Sequence, residues 1–210
     1  MQWADKLEFL VLGVQLRIMV EILGLDRGEA LDLWDRAWSH LRRATADKRH
    51  AFRYPVLCSE GARGPQGRVV VMRNCSERSR RVEFFTDYRS PKCQEIIGAP
   101  QVSFVWYDPK LRLQIRGQGR AAIVSDEPWV EATWESLSER QKAEYSSVAA
   151  PGESRWTQDE DLAKPGKCGY FAVVRTTLES FDILELSSEG HQRWIWEWYI
   201  DQWAARSAVP

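Results

Sequence analysis

Apolar side chains recur at two different periods along this chain, helical at first and alternating later. Leu7, Leu10, Val11, Val14, Ile18, Ile22 and Leu25 fall at helical spacing, which predicts an amphipathic helix packed on the body or on a partner. Glu8, Gln15, Arg17 and Glu21 interrupt the run and no small-residue cleavage site follows, so it reads neither as a membrane span nor as a signal peptide. A second helical phrase, EALDLWDRAWSHLRRATADK, places Leu31, Trp34, Trp38 and Leu41 on one apolar face.

Beyond this phrase the period becomes two. YPVLCSE, GRVVVMRN, RRVEFFTD, QVSFVWYD and LRLQIRGQGRAAIV read as successive strands, joined by the turns GARGPQG, NCSERS and DPK. Tight connections between consecutive strands predict an antiparallel meander or barrel, not a doubly wound sheet. The interval from 128 to 145 reads as a helix and the polar stretch up to 169 as a loop. Two strands, YFAVVRTT and SFDILELS, and then GHQRWIWEW complete the chain. The fold class expected is mainly β, a small antiparallel barrel with peripheral helices. Residues 1–48 form a helical extension and residues 49–210 the barrel domain.

With 210 residues and 44% hydrophobic content the chain can bury a sizeable core. A net charge of -1, from 29 basic and 30 acidic residues, gives no global attraction to nucleic acid or to an anionic membrane, so any anion site is local. Eleven Trp are enough to fill a core and also to line a pocket or a subunit contact. Cys58, Cys75, Cys93 and Cys168 are scattered, and no histidine stands at metal-ligand spacing; this predicts reduced thiols in a cytoplasmic protein without a metal site. There is no GxGxxG or GxxxxGK[ST] phrase.

The stretch FFTDYRSPKCQEIIGAP carries the first chemical signal. A strand with Val82, Phe84 and Thr86 on one face hands over to Ser90 as N-cap and Pro91 at the first helical position, with Gly98 and Pro100 closing a short helix. Free backbone N–H groups, the Ser90 hydroxyl and the Lys92 ammonium suit a phosphate; a capped helix with a solvated lysine fits the same letters. Arg68 and Arg73 bracket another strand, and Gln114 lies between Arg112 and Arg116 on one face by period two. Arginine forks suit a phosphate monoester and a glutamine amide suits a planar heterocycle.

The ordered succession RVVVMR, FFTDYRSPK, LRLQIRGQG, a late PG and HQR resembles the pyridoxamine 5'-phosphate oxidase-like family of FMN-binding split β-barrels, over about residues 52 to 193. That resemblance implies FMN as cofactor and a homodimer with FMN at the interface. Arg68 and Lys92 would meet the FMN phosphate, with Ser90 beside them. Val69, Val70, Val71 and Arg73 would run along the flavin, Arg73 standing where the family commonly has lysine. Phe85, Thr86, Gln114 and Arg193 would approach the cofactor too, while Tyr145 and His191 would face the substrate.

Departures from the family's pattern carry as much information. The basic residue expected after Ser90 is Pro91, an expected arginine falls near Ala149, and Glu189 stands where an arginine grips the vitamin B6 substrate. A carboxylate there repels a substrate phosphate. The resemblance therefore implies an FMN-dependent oxidoreductase with another small-molecule substrate. A non-catalytic flavin- or haem-binding module and an authentic pyridoxamine 5'-phosphate oxidase are the alternatives.

Overall fold

The structure, a computed structural model, describes residues 18–20, 27–125, 127–147, 149–152 and 167–210. Helix α1 (Arg27–Ala46) opens the body. Ala30, Leu33, Trp34, Ala37, Trp38, Leu41 and Ala44 are its fully buried face, a stripe of three- and four-residue steps. Leu31, expected on that face, is instead exposed, because Ala30, Ala37 and Ala44 draw the centre of the stripe away from it.

Nine strands follow: β2 (Val56–Gly61), β3 (Gly64–Val69), β4 (Met72–Ser76), β5 (Arg81–Asp87), β6 (Gln101–Asp108), β7 (Leu113–Val124), β8 (Phe171–Glu185), β9 (Gln192–Tyr199) and β10 (Gln202–Ser207). With β1 (Ile18–Val20) they form one sheet of order β1-β10-β9-β8-β7-β6-β2-β3, while β5 bridges β4 and β8. All pairings are antiparallel except β1 with β10.

The split of this barrel comes from β8. Strand β7 flanks it along most of its length, but its other edge is shared: Phe171 to Thr177 pair with β5, and Ser180 to Glu185 with β9. The register slips at Gln118/Gly119, opposite the changeover. Glycine is required there, since a Cβ on Gly119 would stand 2.0 Å from the carbonyl oxygen of Thr177.

The core lies between α1 and the inner face of this sheet. Trp34 sits at its centre, with ring centroids 5.2 Å from Trp196, 5.3 Å from Trp203 and 5.6 Å from Phe181. A smaller cluster of Val130, Trp134, Tyr145, Phe171 and Val173 holds α3 (Pro128–Glu135) against the start of β8.

Several expectations are corrected. Ile18, assigned to an N-terminal helix, lies with Met19 and Val20 in β1, whose backbone pairs with the free edge of β10; the rest of that expected helix lies outside the described residues. GRVVVMRN is two strands, broken at Val70 and Val71, and the presumed GARGPQG turn is mostly strand β3, turning only at Ala62–Arg63. YFAVVRTT and SFDILELS are one continuous strand, because Phe171 to Thr177 pair with β5 and Ser180 to Glu185 with β9 on one edge, while β7 runs along the other from Val173 to Glu185. The helix expected over 128–145 breaks into α3 and α4 (Glu139–Ala143), the second opened by a capping box from Ser138 to Gln141. Of the tryptophans that could have lined a pocket or a subunit contact, Trp194, Trp196 and Trp203 are buried in the core of the chain itself.

Candidate functional site

Strand β5 and helix α2 (Pro91–Gly98) build the first corner. Ser90 has the extended backbone of an N-cap and Pro91 the first helical position, yet the Ser90 hydroxyl caps nothing. It lies 3.2 Å from the Thr86 hydroxyl and 3.4 Å from Cys93 Sγ, fully buried. Lys92 Nζ donates to Thr86 Oγ1 at 3.1 Å. The nearby Asp87 carboxylate is taken by Arg89, whose fork reaches it at 2.7 and 3.1 Å and whose guanidinium lies 3.2 Å from the Tyr170 ring centroid. Lys92 is thus left without a carboxylate partner among the described residues. Burial, chiefly, pushes its ammonium below the ordinary lysine range, and the Arg68 cation adds to this.

Arg68, on β3, stands at the same corner. It donates to Glu95 on α2 at 2.6 Å and to the Ser59 hydroxyl, which itself donates to Glu95 at 2.5 Å. The guanidinium therefore presents one edge to the protein and keeps its remaining N–H donors for another acceptor.

A second group forms on the other side of β5, since Phe85 and Thr86 are neighbours and point to opposite faces. The Arg73 guanidinium lies 5.3 Å from the Phe85 ring, and its buried Nε has no partner among the described residues. Tyr145 packs edge-on against Phe171, which meets Phe85 in the same way. Burial pushes the Tyr145 phenol up, while the Arg73 cation draws it back down.

A third group lies at the far end of β8. Tyr107, Gln114, Leu184 and Arg193 are successive cross-strand partners on the outer face of the sheet. Arg193 forks onto Asp182 at 2.9 and 3.0 Å, and Arg116 shares that carboxylate. Arg112 lies in the turn before β7 at φ 52°, so the expected face of Arg112, Gln114 and Arg116 reduces to the last two. His191 is exposed, its Nδ1 accepting from the Ser187 N–H at 3.2 Å.

Within one chain, then, Arg68, Thr86, Ser90 and Lys92 come together, and so do Arg73, Phe85 and Tyr145. Gln114 and Arg193 are adjacent but sit at the opposite end of β8, and His191 does not meet Tyr145. Val70 is core, Val69 is exposed, and Val71 lies between the strands. Sequence reasoning missed Glu95, Ser59 and Asp182, which hold the arginines. Glu95 had one local signal: it follows Lys92 by three residues on a helix and so shares its face.

The family model for the pyridoxamine 5'-phosphate oxidase FMN-binding domain matches residues 34–125, from α1 to the end of β7. Over those residues, just under half of its length, the chain is similar to the pyridoxamine 5'-phosphate oxidase FMN-binding domain. A pyridoxine/pyridoxamine 5'-phosphate oxidase of Chromohalobacter salexigens is 30% identical over 97 residues, 46% of this chain and 43% of that one. The match spans less than half of that relative. Among solved structures, a pyridoxamine 5'-phosphate oxidase-related, FMN binding protein from Nostoc punctiforme is 26% identical, with a TM-score of 0.69 over 84% of this chain and 97% of the other. PhzG from Burkholderia lata, solved with tetrahydrophenazine-1-carboxylic acid, shares the fold at 18% identity and a TM-score of 0.66, over 91% of this chain and 99% of PhzG. These structures share the split-barrel fold, whose split the β8 changeover provides in this chain.

Proposed function

We propose that the protein is an FMN-dependent oxidoreductase that works as a homodimer on a small molecule other than a vitamin B6 phosphate ester. The observation that carries this reading is Lys92, half-buried among the Thr86 and Ser90 hydroxyls with no carboxylate of its own among the described residues and with Arg68 beside it. Such a donor set fits a terminal phosphate monoester. The unpartnered Arg73 Nε fits a further acceptor on the other face of β5.

Arg68, Ser90 and Lys92 would hold the phosphate, with Thr86 orienting Lys92. Arg73, Phe85 and the segment from Val69 to Val71 would border the ring. Bound there, the flavin supplies hydride or electron transfer, so the chain needs no acid–base pair of its own for that step. Asp182 fixes the rotamer of Arg193, and the row of Gln114 and Arg193 stands too far along β8 to serve the same chain's phosphate corner. On this reading the row of a second copy would complete the first chain's phosphate corner. The exposed outer-face residues Val56, Val69 and Tyr107 offer apolar surface for that contact.

Loss of vitamin B6 binding rests on Glu189 and Ala149, both exposed and neither able to hold a phosphate. No helix among the described residues is long and apolar enough to cross a membrane, and the four cysteines are free, which fits the expected cytoplasmic setting.

Titration of the flavin-free protein with FMN, followed by flavin fluorescence, tests the reading. Saturable binding of FMN, with riboflavin much weaker, is expected, together with turnover of reductants by the loaded protein. Recovery of FAD alone, or no flavin binding, overturns it.

A further inference from the structure

On the outer face of β4, β5 and β8, covered at one side by α3, lies a cavity of about 420 Å³. Its size falls in the range of small-molecule sites, roughly 300 to 1,000 Å³. Arg73, Arg81 and Arg175 line it against a single carboxylate, Glu83, and Phe85 and Trp129 supply flat apolar walls.

The local sequence explains the layout. Arg81, Glu83 and Phe85 alternate along β5 and so share this face. Arg175 is the direct cross-strand partner of Glu83, and its Nε donates to Glu83 Oε1 at 2.6 Å. Asn74 Nδ2 takes the other oxygen of the same carboxylate at 3.0 Å. Glu83 is therefore satisfied and buried, and it neutralises one arginine of three.

The remaining donors have no such partner. Arg175 lays its guanidinium 4.3 Å from the Trp129 ring and keeps its terminal NH2 groups without a protein partner among the described residues. Arg81 is exposed and makes no ion pair among them. Arg73 brings the buried, unpartnered Nε. Two positive charges uncompensated among the described residues, in a cavity with aromatic walls, attract a flat anion and give it both stacking surface and forked donors.

We propose that this cavity is the substrate pocket and that it takes a planar aromatic acid, its anionic group held by Arg81 and Arg175 and its ring lying between Trp129 and Phe85. The inference rests on the flavin reading for the pocket's role in turnover, because Arg73 and Phe85 border both places, but not for the binding itself.

Calorimetric titration of the purified protein with 1-naphthoate, 1-naphthyl phosphate and 1-naphthamide tests it. At least one of the two anions is expected to bind about tenfold or more tightly than the neutral amide, the worth of one charge-assisted contact. The tighter anion identifies the acid group. Arg81→Ala, an exposed position with little bearing on folding, is expected to weaken the anion about tenfold and leave the amide unchanged. Trp129→Leu is expected to weaken all three ligands. Equal binding of naphthoate, naphthyl phosphate and naphthamide, or anion binding indifferent to Arg81→Ala, overturns the proposal. Flavin content, read from the absorption of the same preparation, separates the two readings: a preparation without flavin counts against FMN and leaves the anion test standing.

Discussion

Glu95 on α2 holds Arg68 on β3 at 2.6 Å, and the Ser59 hydroxyl of β2 is shared between them. Three elements thus fix one guanidinium beside Lys92. Left alone, a long arginine side chain loses rotamer freedom only when a ligand arrives; held by Glu95, it has already lost it. Glu95 also offsets the repulsion between the Arg68 and Lys92 cations, since it acts on Lys92 in the opposite sense to Arg68. Glu95→Ala is expected to lower FMN affinity roughly tenfold, as the loss of a supporting partner commonly does, and to leave riboflavin, which has no phosphate, unchanged. Tighter FMN binding by the variant in fluorescence titration refutes this positioning role.

Lys92→Ala and Arg68→Ala each remove a cation from the proposed phosphate corner. A charge-assisted hydrogen bond is worth about 1.5 to 3 kcal/mol, so FMN affinity is expected to fall about ten- to a hundredfold in each variant. Glu189→Arg, in the exposed turn after β8, is expected to leave FMN affinity as it is. If both cation variants bind FMN like the parent while folded, the phosphate assignment is wrong.

A histidine pair ties α1 to the turn after it and makes stability depend on pH. The Phe52 N–H donates to His50 Nδ1 at 3.1 Å, and His50 Nε2 lies 3.2 Å from His40 Nδ1. Accepting at Nδ1, a neutral His50 carries its proton on Nε2 and donates it to His40; an extra proton on either Nδ1 opposes a donor. Burial is the main cause that lowers both rings' proton affinity. His50 and then Arg43 and Arg36 add to it at His40, Arg43 at His50, while Asp108 opposes at both and Asp47 at His50. Both folded values lie below the unfolded one near about 6.5, so the unfolded chain binds more protons in that window. Stability is present above about pH 6.5 and is lost as the pH falls through the window toward the folded values. The denaturant midpoint is expected to drop on acidification from about pH 7.5 to 5.5, and less steeply in His40→Gln. An unchanged slope in the variant excludes the pair as its source.

Gly119→Ala places a methyl group against the Thr177 carbonyl, where the backbone of β8 changes partner. The strand has to move, and a loss of about 3 kcal/mol is expected, in the upper range for overpacking. Urea unfolding followed by tryptophan fluorescence measures it; wild-type stability in the variant contradicts the bulge as described.

How much of this was legible beforehand differs from one segment to the next. Ser90 and Pro91 announce the start of α2 by capping preferences, which are local. The hydroxyl of Ser90 could not be assigned, because it meets Thr86, four residues earlier, instead of the helix N–H groups that its N-cap position suggests. Val82, Phe84 and Thr86 showed their common face by alternation. That β8 is one strand was hidden, because Glu179 and Ser180 in its middle look like a turn until two different edges pair with its two halves.

The chain's sequence by itself determined the periods of its elements, the barrel class and the supply of cations, since these follow from spacing and residue type over a few neighbours. Tertiary structure alone decided which cation meets which anion. Arg68 finds Glu95 across 27 positions, Arg193 finds Asp182 across a hairpin, and Arg175 finds Glu83 across 92 positions. Those meetings depend on strand order and register, which are set by closure of the whole sheet around Trp34 and Phe181, and a one-residue slip would turn every such side chain to the other face.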